Sequence, residues 1–147
     1  MELKKGIDYI GVNVVFWCHD GNGNILFSKR SQKCKDEQGR WECGGGSMEF
    51  GESFDDAVTR ELMEEYCTKP LKIDYVATQN MIRTHEGKKT HWMNNIHCAL
   101  VDPKTVRIGE PDKIDEIGWF PIDALPTPLH SQIIHEVPVI KKFFSKK

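Results

Sequence analysis

A helix that carries carboxylates on its apolar face constrains this chain more than any other feature. Ser53 is a typical helix N-cap residue, and Asp56 three positions later completes a capping-box pattern. The helix should run to about Tyr66 and stop before Pro70, because proline interrupts a helix from within. An apolar face then forms at about 100° per residue. It consists of Phe54, Ala57, Val58 and Leu62.

Glu61 and Glu65 fall on that apolar face, and Glu64 lies at its edge. The i, i+3, i+4 spacing directs all three carboxylates to one place. If they are buried there without partners, they must either take up protons or bind a cation. Mg²⁺ prefers oxygen ligands of this kind, usually a few carboxylates together with substrate phosphates. From the helix alone, a solvated acidic face and a cation site both remain open.

Strand patterns surround this helix. Val12, Val14 and Phe16 alternate with their neighbours, which predicts a half-buried strand, and turn residues at 20–24 before another apolar run predict a hairpin. Before the central helix, the sequence predicts a surface loop from Ser31 to Arg40 and a glycine backbone from Trp41 to Gly46. After the helix it predicts a strand, a turn at 85–89 and a returning strand from Thr90 to Val101; one side of the first of these strands consists of Leu71, Ile73, Tyr75, Ala77, Gln79 and Met81. An acidic connection from Pro103 to Asp115 then leads to a strand at Trp119-Phe120 and to a helix from Leu129 to Phe144, which Pro138 bends or splits. Strands around one central helix, with a second helix last, predict an α/β or α+β sandwich.

The residues around the central helix match a known motif. Gly46 is followed after five residues by Glu52, and after seven more by Arg60-Glu61-Leu62, any residue, and Glu64-Glu65. This pattern resembles the Nudix box of the Nudix (MutT-type) hydrolases and covers residues 46–68. The resemblance implies the Nudix α/β/α sandwich, with a mixed sheet and the box as a loop-helix-loop.

The end of the box departs from the family pattern. Cys67 and Thr68 stand where the family usually has glycine and an aliphatic residue. Because that glycine normally helps to end the helix, we expect an altered helix exit here. The departure touches no carboxylate, so we expect the chemistry to survive.

The resemblance also implies roles for the box residues. Mg²⁺, with Mn²⁺ as a possible substitute, would be held by Glu61, Glu64, Glu65 and the carbonyl of Gly45. Arg60 and Glu52 would orient these glutamates, as outer partners do at metal sites. Glu61 is the first choice for activating the attacking water. Some family members take this base from a downstream loop, so four acids stay open as alternatives: Glu86, Glu110, Asp115 and Glu116.

Substrate-binding candidates lie outside the box. Arg30, at the end of the second predicted strand, is placed to donate to a phosphate with both arms of its guanidinium. Trp92, Asn94 and His130 are candidates for lining a base or sugar pocket. Each of these residue types is more often plain core or surface.

Three function classes compete. The leading one is a nucleoside-triphosphate pyrophosphatase of the MutT type, which gives a monophosphate and pyrophosphate; the short chain favours it. The second is a sugar-nucleotide or ADP-ribose type hydrolase on the same fold. The third is a Nudix domain that binds a nucleotide without turnover, but such domains often lose box carboxylates and Glu61, Glu64 and Glu65 are all present.

Composition limits the partners and the compartment. The 147 residues suit one domain over 1–147, and a net charge of -2 argues against duplex nucleic acid as the main partner. The five cysteines form no C-x-x-C pair, which favours reduced thiols. No apolar run is long enough for a bilayer and no secretory signal is visible, so we expect a cytoplasmic protein. The partner should be a small nucleotide, and the resemblance allows a homodimer.

Overall fold

The computed structural model describes residues 1–146, except the side chain of His85. Its strands are β1 Gly11–His19, β2 Asn24–Arg30, β3 Trp41–Glu42, β4 Gly44–Ser47, β5 Lys72–His85, β6 Lys88–Leu100 and β7 Ile114–Pro121. Its helices are α1 Phe54–Tyr66 and α2 Ile133–Ser145, with a short 3₁₀ turn at Pro103–Thr105.

The strands form one mixed sheet between the two helices. The order is β3-β2-β1-β6-β5, with β4 paired to β1 and β7 paired to β2. Only the β1–β6 pair is parallel among the pairs of the described strands. Val14 and Phe16 of β1 pack in one core cluster with residues of α1, whereas Trp17 packs in a second cluster with residues of α2. The predicted α+β sandwich with a mixed sheet is therefore confirmed.

The first strand is buried more completely than its alternation predicted. Positions 16–19 are buried one after another, while Val12 at the other end is 39% exposed. The half-buried prediction was wrong for this half of β1, because each of the two helices covers one face of the sheet there. The hairpin at 20–24 is confirmed, with His19 opposite Ile25.

The predicted face of β5 was wrong after Tyr75. The register shifts between Tyr75 and Ala77, so that Tyr75 lies opposite His97 but Ala77 lies opposite Ile96. Tyr75 packs near α1, whereas Val76 belongs with the α2 cluster. A bulge inserts one residue and reverses the alternation after it, which a strict period of two cannot anticipate.

The last helix begins later than predicted. Trp41 donates its backbone N–H to the carbonyl of Pro128 at 2.8 Å, and His130 donates to the carbonyl of Trp41 at 2.8 Å. These bonds hold the segment around Leu129 beside β3, so α2 starts at Ile133 rather than Leu129. Pro138 lies inside α2 and does not split it.

The capping box at the start of α1 is confirmed, and at the end of the helix a cysteine stands in the place of the usual glycine. The hydroxyl of Ser53 accepts from the backbone of Asp56, whose carboxylate accepts from the backbone of Ser53. At the exit, Cys67 itself takes the left-handed conformation (φ 57°, ψ 29°) that glycine would adopt. The carbonyls of Glu65 and Tyr66 accept backbone bonds from Gly109 (2.8 Å) and Arg107 (3.0 Å). A loop from elsewhere in the chain thus completes this helix end.

No helix among the described residues is long and apolar enough to cross a bilayer.

Relief of the strain at Cys67 gives a stability prediction. We expect the free energy of unfolding of Cys67→Gly to be about 1 kcal/mol larger than that of Cys67→Ala, because only glycine adopts this conformation without a Cβ penalty. The alanine variant is the matched control, since both variants lack the thiol. Urea denaturation followed by circular dichroism measures the difference, and equal stabilities would show that Cys67 carries no strain.

Candidate functional site

A cavity of about 520 Å³ opens between the glycine strand β4, the carboxylate face of α1 and the start of α2. Its lining includes Gly44–Ser47, Glu61, Glu64 and Glu65 from the helix motif. It also includes side chains that lie far from the motif in sequence: Asn13, Arg30, Arg83, Asn94, Glu110 and Glu136. This volume is in the range of small-molecule sites.

The glycines of β4 allow α1 to approach the sheet closely. A Cβ on Gly46 would overlap the carboxylate of Glu61, and one on Gly45 would overlap the backbone of Val14. The backbone N–H of Gly45 donates to Oε2 of Glu65 at 3.1 Å. Steric contact therefore requires glycine at positions 45 and 46, where β4 lies against the carboxylates of Glu65 and Glu61.

Burial and mutual repulsion raise the pKa of two of the three carboxylates. The side chain of Glu61 is 13% exposed, and its pKa is raised by burial despite the opposing effect of Arg60. The pKa of Glu65 is raised well above its usual value by burial and then by the charge of Glu61. Glu64 is half exposed. The helical spacing of α1 therefore places two glutamates in the cavity and the third at its rim.

Arg60 joins the other charged residues of the motif. Its Nε and Nη2 donate to the carboxylate of Glu52 at 2.7 and 3.0 Å, and its Nη1 donates to Oε1 of Glu61 at 2.8 Å. Nη2 also donates to the carbonyl of Ser47 at 3.1 Å. The hydrogen bonds from Arg60 lower the pKa of Glu52 to about 2. Arg60 thus ties the loop before α1, the strand β4 and Glu61 together.

Of the four downstream acids, the cavity lining includes Glu110. The neighbouring Gly109 packs so closely on α1 that a Cβ would overlap the carbonyl of Glu64. The charge of Glu110 adds to the raised pKa of both Glu61 and Glu65. Outside the lining, Glu86 lies in the β5–β6 turn, Asp115 lies on β7, and Glu116 pairs with Lys29 at 3.8 Å.

The substrate-binding candidates are placed differently from one another. Arg30 lines the cavity, where its guanidinium binds Oε2 of Glu42 at 2.7 Å and Oδ1 of Asp36 at 2.8 Å. His130 and Asn94 also line the cavity, and burial lowers the pKa of His130. The cavity lining does not include Trp92.

Trp92 instead packs under the N-terminal segment. A Cβ on Gly6 or Gly11 would overlap its indole ring. Gly11 also lies opposite Trp92 in the parallel β1–β6 pair. The ring therefore covers the start of β1 in this structure, and its proposed contact with substrate stays a prediction.

Several charged residues of the cavity escaped the sequence analysis. Glu42 and Arg83 come from β3 and β5, and Glu136 comes from α2. A signal existed for Glu136, because it lies between Ile133 and Ile140 on the buried side of α2. The same wheel argument that singled out the glutamates of α1 identifies it.

The three α1 carboxylates are ligands of the kind that a hard divalent cation prefers, although they are not gathered around one point in this structure. No group of three His, Cys, Asp or Glu side chains within the described part of the chain is gathered for metal binding in this conformation. Glu61 and Glu65 are carboxylates with raised pKa values beside a third acid, Glu64. A cation would remove the repulsion between them, so the chemistry of the residues fits Mg²⁺ or Mn²⁺.

Comparison with known proteins identifies the family. The model of the NUDIX domain matches residues 10–142. A MutT NUDIX hydrolase from Burkholderia pseudomallei has the same fold with a TM-score of 0.78 and 27% identity, over 89% of this chain and 98% of that one.

Two curated relatives match over part of their length. The NAD-capped RNA hydrolase NudC of Pseudomonas aeruginosa is 33% identical over 59% of this chain and 28% of its own. The oxidized purine nucleoside triphosphate hydrolase of Danio rerio is 32% identical over 60% of this chain and 53% of its own. The matched part of the chain thus spans between about a quarter and a half of the length of these relatives. With the family model matched over most of its length, the chain belongs to the Nudix family of hydrolases.

Proposed function

We propose that this chain hydrolyses a phosphoanhydride bond in a nucleoside diphosphate linked to another group, with Mg²⁺ as cofactor. The leading substrate class is a nucleoside triphosphate, split into a monophosphate and pyrophosphate. The observation that carries this proposal is that the three α1 carboxylates line a cavity large enough for a nucleotide, with Glu61 and Glu65 in contact with the glycine strand.

The carboxylates are proposed to hold the cation. Glu61, Glu64, Glu65 and the carbonyl of Gly45 would be its ligands. When bound, Mg²⁺ or Mn²⁺ would neutralise charge on the phosphates and make a water molecule more acidic. Burial disfavours the charged forms of Glu61 and Glu65 and so raises the pKa of both, a cost that a bound cation would offset. Without a cation, the ionised carboxylates would repel a polyphosphate.

Arg60 and Glu52 are proposed as positioning residues. Arg60 holds Glu52 on one side and Glu61 on the other, at 2.7 and 2.8 Å. Two of its donors face one carboxylate, which fixes the plane of the guanidinium. The pair therefore sets the orientation of Glu61 relative to β4.

The acceptor of the water proton is proposed to be Glu61. Its raised pKa brings its proton affinity closer to that needed by a general base near neutral pH. Glu110 is the downstream alternative retained, because the cavity lining includes it and omits Glu86, Asp115 and Glu116.

Two relatives support the choice of substrate classes to test. The Danio rerio relative is named for oxidized purine nucleoside triphosphates, and the Pseudomonas relative for NAD-capped RNA. Both substrates contain a nucleoside diphosphate linked to a further group. A sugar-nucleotide or ADP-ribose type substrate is the second candidate, and nucleotide binding without turnover is the third. We also propose a homodimer as a possible assembly and the cytoplasm as its location.

A substrate screen tests the proposal. Nucleoside triphosphates, oxidised purine triphosphates, NAD, ADP-ribose and nucleotide sugars would be incubated with Mg²⁺, and the phosphate-containing products separated by ion exchange. We expect turnover of at least one triphosphate, with pyrophosphate as product. Turnover of ADP-ribose or a nucleotide sugar alone would favour the second candidate. Nucleotide binding without any product would favour the third.

The positioning role of Arg60 gives a kinetic prediction. We expect Arg60→Lys to lower kcat by about 10–100-fold, because lysine keeps the charge but cannot hold Glu52 and Glu61 together. Steady-state kinetics on the best substrate measures the change. Arg107→Lys, an exposed arginine outside the cavity, is the matched control. A wild-type kcat in Arg60→Lys would rule out this role.

The two candidate bases can be separated by kinetics. If Glu61 accepts the proton, Glu110→Gln should keep kcat within about tenfold of wild type, as expected for a residue that only adjusts the local charge. Glu116→Gln makes the same change outside the cavity and serves as control. A loss of about 1,000-fold in Glu110→Gln, with the acidic limb of the pH profile removed, would instead assign the base to Glu110.

A further inference from the structure

Acidic residues of the loop between β2 and β3 contact the arginines of the cavity. Arg30 and Arg83 both belong to the cavity lining. Asp36 and Glu37 belong to the loop and lie outside that lining, but between them their carboxylates contact both guanidinium groups. The proposed hydrolysis uses neither of these two acids.

The guanidinium of Arg30 is occupied on each of its nitrogens. Its Nε and Nη2 donate to the carbonyl of Asp36 at 3.2 and 3.1 Å, and Nη2 also donates to Oδ1 of Asp36 at 2.8 Å. Its Nη1 donates to Oε2 of Glu42 at 2.7 Å. An arginine binds a phosphate best with two parallel N–H groups from one edge of its guanidinium. Each such edge of Arg30 already contacts an acidic residue of the chain itself.

Asp36 also reaches the second arginine of the cavity. Its Oδ2 lies 4.0 Å from Nη2 of Arg83, while its Oδ1 accepts from Arg30. Glu37 adds a further contact, because its Oε2 accepts from the same Nη2 at 3.2 Å. One carboxylate thus lies between two arginines, an arrangement that a phosphate group can also form with them.

The loop that carries Asp36 is anchored at both ends by its backbone. Ser31 donates its backbone N–H to the carbonyl of Lys113 at 2.9 Å, and Gly39 donates to the carbonyl of Arg30 at 2.8 Å. The side chain of Asp36 is 43% exposed. Its carboxylate can therefore exchange the arginines for water while the backbone bonds at the ends of the loop remain.

We propose that Asp36 is an autoinhibitory anion, which occupies Arg30 and Arg83 in the free protein and leaves them when a polyphosphate binds. The inference rests on the proposed function, which brings a polyphosphate into this cavity. The bonds lost to Asp36 are replaced by bonds of the same charge-assisted kind to a phosphate. The arginines are available only in the fraction of molecules from which Asp36 has withdrawn. The apparent affinity for a polyphosphate is lowered by that fraction.

The opposite role for Asp36 predicts the opposite result. A carboxylate that only held Arg30 in the correct orientation would help a phosphate to bind, and removal of its charge would weaken phosphate binding. Under the proposed autoinhibition, removal of the charge strengthens phosphate binding, because a competitor is lost. The sign of the change in affinity therefore decides between the two roles.

Asp36→Asn removes the competing charge with little change in shape. The backbone carbonyl of residue 36 keeps its two bonds from Arg30. The probe is methylenediphosphonate, a pyrophosphate analogue whose bridging carbon prevents hydrolysis, titrated by calorimetry in the presence of Mg²⁺. We expect Asp36→Asn to bind this probe about 3–10-fold more tightly than wild type does. Equal or weaker binding, or no binding to either protein, would overturn the inference.

Asp112→Asn is the matched control for the loss of charge. Asp112 is exposed, lies outside the cavity lining and pairs with Lys33 of the same loop at 3.3 Å. Its substitution removes one negative charge beside the loop without freeing an arginine of the cavity. We expect its affinity for the probe to stay within about twofold of wild type, because salt screens exposed charges. An equal gain in Asp112→Asn would show a general charge effect and overturn the inference.

A double-substitution cycle tests whether the gain acts through Arg83. Arg83→Gln should weaken binding of the probe, and Asp36→Asn should give a smaller gain in that background, because one of the two contested arginines is absent. An undiminished gain would overturn the inference. Thermal melting shows whether each variant is folded. If Asp36→Asn is unfolded, Asp36→Ala repeats the test with the same expectation, since it also keeps the backbone bonds from Arg30.

The binding readout keeps this inference distinct from the proposed hydrolysis. Methylenediphosphonate carries no base and is not cleaved, so its affinity does not depend on which nucleotide is the substrate. A gain in affinity in Asp36→Asn supports the inference even if no nucleotide is turned over, in which case only the proposed hydrolysis fails. The absence of that gain contradicts the inference even if hydrolysis is confirmed.

Discussion

The repulsion between the buried carboxylates of Glu61 and Glu65 is the constraint on which the site depends. The pKa of each carboxylate is raised mainly by burial, and the charge of Glu61 raises the pKa of Glu65 further. The surrounding structure holds them in place rather than apart: the backbone of Gly45 donates to Glu65, and Arg60 donates to Glu61. Like charges held near one another at a cavity support the proposed cation site.

The parts of this site that follow from local chemistry could be predicted from the sequence. The capping box of Ser53 and Asp56 defines the start of α1, and helical periodicity then fixes the direction of Glu61 and Glu65. The sequence predicted a glycine backbone up to Gly46, and a Cβ at that position would overlap the carboxylate of Glu61. These features depend on neighbours within a few residues, so a single sequence contains enough information for them.

The parts that depend on distant contacts could not be predicted. The bulge near Val76 reverses the face of β5, and the bonds of Trp41 to the segment around Leu129 delay the start of α2. Glu110 reaches the cavity because Gly109 docks on the exit of α1, where Cys67 replaces the usual glycine. Pairings across the sheet and between loops are set by tertiary packing, and local propensity gives no register for them.

Cation binding by the α1 carboxylates is tested most directly by the protons it releases. A carboxylate with a raised pKa holds its proton more tightly than usual, and it must lose any proton it holds before it can bind a metal. Mg²⁺ titrations by calorimetry at about pH 6.5, in two buffers of different ionisation enthalpy, give the number of protons released. We expect release on binding to wild type and to the exposed-site control Glu2→Gln, and much less in Glu65→Gln. Binding without proton release, or equal release from Glu65→Gln, would contradict a cation site at Glu65.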